Sequence, residues 1–237
     1  MRLDKLLANT GYGSRKDVKQ LIKKKLVKVN DEIAKKADVN INPEEDIIIC
    51  NGEKVNYKEY VYFMLNKPPG YLSATEDTVQ KTVLDLLDQK DKVLHPFPVG
   101  RLDKDTEGLL LLTNDGQLAH DLLSPKKHIQ KKYYAKIDGM VTNSDIDSFK
   151  KGVDIGGYIT KPSELAILSS DNVSEIELTI TEGKFHQVKR MFEAVGKKVT
   201  YLKRLSMGSL ILDPDLSIGK YRQITPDELS LLKESKS

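Results

Sequence analysis

The chain has 237 residues, 39% of them hydrophobic and 31% charged, with a net charge of +3 and a single cysteine. That apolar content supports a folded core rather than a disordered chain, and one cysteine, Cys50, excludes a disulfide framework or a Cys-based metal site. No apolar run approaches the ~20 residues of a membrane-spanning helix, and the charged start Met1-Arg2-Leu3-Asp4 is unlike a signal peptide, so the expectation is a cytoplasmic protein without a membrane partner.

The small net charge hides an asymmetry. Residues 1–36 hold eleven Lys or Arg and four Asp or Glu, a net +7 against +3 for the whole chain, which leaves the remainder at −4. One basic module joined to a nearly balanced one suggests a polyanion-binding part attached to something else.

Within the basic part, Leu3, Leu6 and Leu7 recur at helical spacing and stop at Gly11-Tyr12-Gly13. Ser14 with Asp17 predicts the cap of a second helix. Val18, Leu21 and Ile22 form its apolar stripe, and Arg15, Lys16, Lys19, Lys23, Lys24 and Lys25 lie off that stripe. Val27 and Val29 predict a strand turned at Asn30-Asp31; Asp46–Cys50 predicts another, ended by Asn51-Gly52. Residues 51–59 are polar and read as a linker. A solvated lysine face needs no ligand, but these cations have few acids beside them and repel one another unless an anion is near. The order Arg-Leu-Asp-Lys-x-Leu-Ala, then Gly-x-x-Ser-Arg, a basic helix and Lys-Val-Asn resembles an S4 domain over residues 1–48. The resemblance implies contact with the phosphates of structured RNA, read by shape, through Arg2, Ser14, Arg15, Lys16, Lys19 and Lys23.

From Tyr60 onward the pattern changes. Tyr60–Leu65 predicts a buried strand stopped by the turn chemistry of Asn66-Lys67-Pro68-Pro69-Gly70. Thr78–Leu87 predicts a short helix with Val79, Val83, Leu86 and Leu87 inward. His95–Val99 is an extended entry stiffened by two prolines. It leads to Gly100–Gly108, a loop that packs Arg101, Asp103, Lys104, Asp105 and Glu107 ahead of Leu109–Leu112, which predicts a buried strand. A helix through Leu118, Leu122 and Leu123 ends at Ser124-Pro125. Lys126–Ala135 then places four lysines beside Tyr133 and Tyr134, which fits a charge-protected sheet edge or a stacking face for an extruded base. Glu175–Thr181 alternates as a strand with Ile176, Leu178 and Ile180 inward, and Val188, Met191, Phe192 and Val195 share one helical face. Ser209–Leu212 predicts a strand and Thr225-Pro226-Asp227-Glu228 a capped helix start. Four scattered histidines lack ligand spacing, so no metal is expected. Strands and helices alternate without a βαβ rhythm, which predicts an α+β chain with a mixed, mainly antiparallel sheet flanked by helices.

Three stretches together resemble the pseudouridine synthases, in particular the ribosomal RNA branch that includes the small-subunit 16S (RsuA-type) enzymes. They are Gly-Arg-Leu-Asp with Thr-x-Gly-Leu-Leu-Leu-Leu-Thr-Asn-Asp-Gly at 100–116, Lys131-Lys132-Tyr133, and Gly183-x-x-His-Gln-Val-Lys-Arg-Met. Tyr62–Tyr71 matches the segment that opens the family's catalytic sheet. The resemblance implies a cofactor-free isomerase that flips out a uridine of rRNA. Asp103 would be its essential carboxylate, Tyr133 the ring that stacks on the base, and Lys189 the cation against the carboxylate. Arg101, Lys131, Phe185, His186 and Arg190 would be further RNA contacts. Residues 1–58 would be the RNA-binding domain with its linker and 59–237 the catalytic domain. The expected substrate is 16S rRNA, of the uridine-516 type, or a small-subunit assembly particle, acted on by a monomer. A 23S uridine, or a non-catalytic ribosome-assembly role, are the alternatives. Attack of the carboxylate on C1′ and abstraction of a proton from C2′ both fit the residues.

Overall fold

The computed structural model describes residues 1–55 and 57–234. The chain forms two compact units, one of Met1–Val61 with Asp88–His95, the other of Tyr62–Leu87 with Pro96 onward.

The first unit holds α1 (Leu3–Asn9), α2 (Arg15–Lys23), β1 (Val27–Val29), β2 (Glu32–Ile33), β3 (Ile48–Cys50), β4 (Glu53–Lys54) and the single-turn α3 (Gln89–Lys92). Leu3, Leu6 and Leu7 from α1 and Val18 and Ile22 from α2 close over Val27, Ile48 and Cys50. The predicted cap is present: Ser14 and Asp17 form a reciprocal capping box. The strands run in the order β2-β1-β3-β4. Asn30 and Asp31 both take positive φ, as do Asn51 and Gly52, which is what two-residue hairpins require. This corrects two expectations. Asn51-Gly52 begins a hairpin rather than a linker, since β4 pairs with β3 and Val55 is buried; Asn56 lies outside the described residues. The strand expected from Asp46 starts at Ile48, because the Asp46 carboxylate accepts from Asn30 Nδ2 and Asn42 N instead.

The second unit is built on a mixed sheet. Its strands are β5 (Tyr62–Lys67), β6 (Phe97–Pro98), β7 (Glu107–Thr113), β8 (Lys131–Asp138), β9 (Glu164–Ser169), β10 (Val173–Ile180), β11 (Lys198–Met207), β12 (Leu210–Ile211) and β13 (Tyr221–Gln223). Its helices are α4 (Gly116–Leu123), α5 (Asn143–Lys151), α6 (Gln187–Ala194) and α7 (Pro226–Glu234). The order is β13-β5-β7-β11-β8-β10-β9, with β6 on β7 and β12 on β11. The β7–β11 pair is parallel, and the other strand pairs within this sheet are antiparallel. Leu109–Leu112 is fully buried because β7 is central and both of its faces are covered. Leu109 and Leu111 pack with Leu118 and Leu122 of α4 and Leu232 of α7; burying each such side chain stabilises by about 1.5–3 kcal/mol. β8 is likewise central, between β11 and β10, so Lys126–Ala135 is not a sheet edge. The helix expected over Thr78–Leu87 shrinks to a 3₁₀ turn at Val83–Leu86. Val79 is 89% exposed, because the Asp77 carboxylate accepts from the amides of Val79 and Gln80 and turns the chain there.

The loop before β7 is held by the segment that follows β5. Lys67 is fully buried. Its ammonium donates to the carbonyls of Pro68 (3.0 Å), Asp103 (3.1 Å), Lys104 (3.2 Å) and Thr106 (2.8 Å). Gly70 N donates to Lys104 O at 2.7 Å. Ser73 Oγ donates to Leu102 O and accepts from Leu102 N, at 2.9 and 3.0 Å. Where the loop enters β7, Gly108 has φ +97, and a Cβ there would strike the carbonyl oxygen of Arg204 on β11.

Two outcomes are expected. Gly108→Ala combines a left-handed backbone with a backbone clash and costs about 3 kcal/mol or more, a fall in Tm of roughly 6–12 °C for a chain of this size; an unchanged melt would show that the β7–β11 approach is not tight. Lys67→Met leaves buried carbonyls unsatisfied at about 1–3 kcal/mol each, so amide exchange at Asp103–Thr106 quickens before that of β7. Equal exchange rates in the two proteins would disprove the role of Lys67.

Candidate active site

Asp103 sits at the crest of the stapled loop, and Thr106 N donates back to its carbonyl at 3.1 Å. Its carboxylate faces the start of α6. Lys189 Nζ lies 3.2 Å from Asp103 Oδ2, and His186 Nε2 lies 3.6 Å from Oδ1. His186 opens α6 with φ +50, a left-handed conformation uncommon for a residue other than glycine and typical of strained positions at functional sites. Phe185 stacks on its ring at 3.8 Å and is 75% exposed.

The same lysine also binds Asp105, at 2.7 and 2.9 Å. Burial alone would raise the Asp105 pKa, but the hydrogen bond and charge of Lys189 outweigh it and hold the carboxyl below its usual range. The converse holds for Lys189: burial pulls its pKa down, and the two carboxylates more than restore it. Beneath the loop, burial lowers the Lys67 pKa to about 8, with Asp105, Asp103 and Glu107 opposing that shift. Glu107 accepts from the Tyr201 hydroxyl at 2.7 Å, and burial followed by this contact raises the Tyr201 pKa.

A cleft opens beside Asp103. Arg101, Tyr133, Ile180, His186 and Leu202 are among its walls. Tyr133 is buried on β8 apart from its cleft edge, while Tyr134 points to the opposite face and meets Tyr201 edge-on. The cleft therefore offers a carboxylate with a cation against it, an aromatic wall and an apolar floor. That combination suits chemistry at an anomeric carbon bearing a planar base.

The structure gathers Asp103, Tyr133, Lys189, Arg101 and His186 in one place, with Phe185 at its rim. Two expected contacts differ from expectation. Lys131 is buried behind the cleft lining, because strand alternation puts it on the same inward face as Tyr133. Arg190 turns away from Asp103 and donates to the carbonyls of Ile155 and Phe185. The sequence reading gave no site role to Lys67, which it placed in a turn, to Asp105, which it placed in the charged loop, or to Ser73. A lysine directly after an apolar strand run was the available signal for Lys67.

In the first unit, Arg15, Lys16, Lys19 and Lys23 are exposed along α2. Lys19 and Lys23 also line a groove with Arg2, Lys35 and Lys36. Arg2 is held in a bidentate pair by the buried Asp4, at 3.0 and 2.7 Å, and the Ser14 hydroxyl is taken up in the α2 cap. Among the described residues no cluster has the makings of a metal site, and no helix is long and apolar enough to cross a membrane.

Comparison with known proteins shows the family. Residues 61–194 match the family model "RNA pseudouridylate synthase", and residues 1–48 match "S4 domain". An uncharacterized RNA pseudouridine synthase of Bacillus subtilis (strain 168), YtzG, is 54% identical over 236 residues, 99% of either chain. The ribosomal small subunit pseudouridine synthase A of Escherichia coli (strain K12) is 39% identical over 97% of this chain and 99% of its own. The ribosomal large subunit pseudouridine synthase B of Bacillus subtilis (strain 168) is 40% identical over 98% and 95%. A solved pseudouridylate synthase superposes with a TM-score of 0.68 at 37% identity, covering 98% and 99%. With the family model spanning more than half of the chain and full-length relatives well above 30% identity, the chain belongs to the RNA pseudouridylate synthase family and is an S4-domain pseudouridine synthase.

Proposed function

We propose that this enzyme isomerises one uridine of 16S ribosomal RNA to pseudouridine, acting as a cytoplasmic monomer on the RNA or on a small-subunit assembly particle. The observation that carries the site assignment is the Asp103 carboxylate, which lines one cleft with Tyr133 and has Lys189 against it. Asp103 is the reacting carboxylate, by attack on C1′ or by taking the C2′ proton. Lys189 supplies the charge against it, and Tyr133 stacks on the extruded base. Extrusion costs a few kcal/mol of stacking, which Tyr133, the exposed Phe185 and the cation Arg101 offset. Asp105 keeps Lys189 at the loop.

The first unit is the RNA-holding part. Arg15, Lys16, Lys19 and Lys23 contact phosphates, while Arg2 and Ser14 shape that surface through their own ion pair and cap. The Tyr62–Tyr71 stretch favours the small-subunit target. The 40% identity to a large-subunit enzyme favours a 23S uridine, and the two readings separate in one experiment.

Pseudouridine mapping of unmodified 16S and 23S RNA, free and in assembly particles, yields one new site in 16S with wild type and none with Asp103→Asn. A 23S site overturns the target and keeps the chemistry. Asp103→Asn lowers kcat by about 10⁴-fold or more with RNA binding intact, and retained turnover removes Asp103 from the mechanism. Replacing Lys16, Lys19 and Lys23 by Gln flattens the salt dependence of RNA binding by roughly 0.7–0.9 in log–log slope per lost contact; an unaltered slope removes α2 from the RNA interface.

A further inference from the structure

Two cations are buried on the cleft side of the catalytic sheet without a carboxylate against them. Lys131 is 8% exposed and Arg204 2%. In the strand ladder Lys131 stands opposite Ile180, and Arg204 opposite Tyr133. Residues facing each other across a ladder share a side of the sheet, and Ile180 and Tyr133 line the cleft. Both cations therefore project from the face that carries the cleft.

Among the described residues neither forms an ion pair. Lys131 Nζ donates to Ile129 O at 3.0 Å. Arg204 Nε donates to Leu109 O at 2.8 Å, and its Nη2 has no partner among the described residues. The acid whose charge reaches Lys131 is Glu182. The Glu182 carboxylate is buried and already accepts from Lys161 N, Gln187 Nε2 and the Tyr158 hydroxyl. The three groups together leave a net charge of +1. A buried charge without a partner lowers stability, and a side chain of the same length without charge, such as Met, would avoid that cost.

We propose that Lys131 and Arg204 form a buried cationic pair that stabilises the negative charge appearing on the uracil ring when its C1′–N1 bond breaks. The electron pair of that bond passes to the ring and spreads over N1, O2 and O4. The sugar carbon is left bonded to Asp103, or as a glycal once C2′ has lost its proton. When C5 bonds to C1′, the Asp103–C1′ bond breaks and frees the carboxylate or, on the glycal route, Asp103 returns the proton to C2′; the C5 proton leaves, N1 gains one, and neither cation is consumed. A fixed charge in a dry site acts without reorganisation at the moment of reaction. The inference rests on a uridine seated between Asp103 and Tyr133.

The test is single-turnover conversion of the RNA substrate with Lys131→Met and Lys131→Arg. Lys131→Met melts no lower than wild type, binds RNA equally and turns over about 100-fold more slowly. Lys131→Arg recovers most of the rate. The pH profile adds a second readout. Burial, with Arg204 second and Glu182 opposing, brings the Lys131 pKa down to about 8, so turnover declines above that pH as its proton leaves. Lys67 titrates in the same range, so the alkaline limb becomes shallower in Lys131→Arg rather than vanishing. Wild-type turnover by a folded Lys131→Met, or a loss that follows RNA binding alone, overturns the proposal. If Lys131→Met does not fold, an alkaline limb identical in wild type and Lys131→Arg overturns it. An inactive Asp103→Asn beside a fully active Lys131→Met would reject this pair and leave the cleft assignment standing.

Discussion

One buried ammonium fixes the geometry of this enzyme. Among the described residues the loop carrying Asp103 has no ladder partner of its own between Gly100 and Thr106, so its backbone carbonyls need donors from elsewhere. Lys67 supplies them: its Nζ meets the carbonyls of Asp103, Lys104 and Thr106 at once. Three ammonium protons shared among this loop and Pro68 leave little freedom to the peptide groups flanking the Asp103 carboxylate. Ser73 and Gly70 complete the clamp from the same segment. β5 thus contributes twice, as a wall of the core and as the anchor of the loop packed beside it.

The charges around that loop balance through shared partners. Lys189 serves both Asp103 and Asp105, Lys67 feels three carboxylates from below, and Glu107 is engaged by Tyr201. Paired this way, several acids can crowd seven residues without mutual repulsion opening the turn. The carboxylate that is most exposed, Asp105, is bound most closely by Lys189, which leaves that cation poised between two acids rather than committed to one. Within the sheet the balance reverses: among the described residues Lys131 and Arg204 form no ion pair, and the acid whose charge reaches Lys131 is Glu182.

The first unit solves a different problem with the opposite distribution. Its core is small, and its stability draws on local chemistry, namely a capping box, two tight hairpins and the Arg2–Asp4 pair. Among the described residues, no ion pair holds the long basic side chains of α2. A surface of that kind holds a phosphate backbone by charge and is indifferent to base sequence.

The legible parts of the sequence were those with a short repeat or a short cap. Leucine spacing gave α1, Ser14 and Asp17 gave the start of α2, and the run Leu109–Leu112 gave a central strand. Strict alternation gave β10. Asp103, Tyr133 and Lys189 were read from resemblance, since a loop with five charged residues does not itself say which one reacts. Local chemistry also misled: Asn51-Gly52 closed a hairpin where polarity suggested a linker, and Asp77 turned the chain where Val79 suggested a helix. Residues 103 and 189 meet because β7 and β11 pair in parallel and α6 packs beside them, a contact between positions far apart in the chain. The buried states of Lys67, Lys131 and Arg204 were decided at the same level. The sequence determines which residues can form a strand, a cap or a basic face, because those depend on neighbours within a few positions. Only the tertiary structure determined which charges lost their water, because burial depends on what the rest of the chain brings over them.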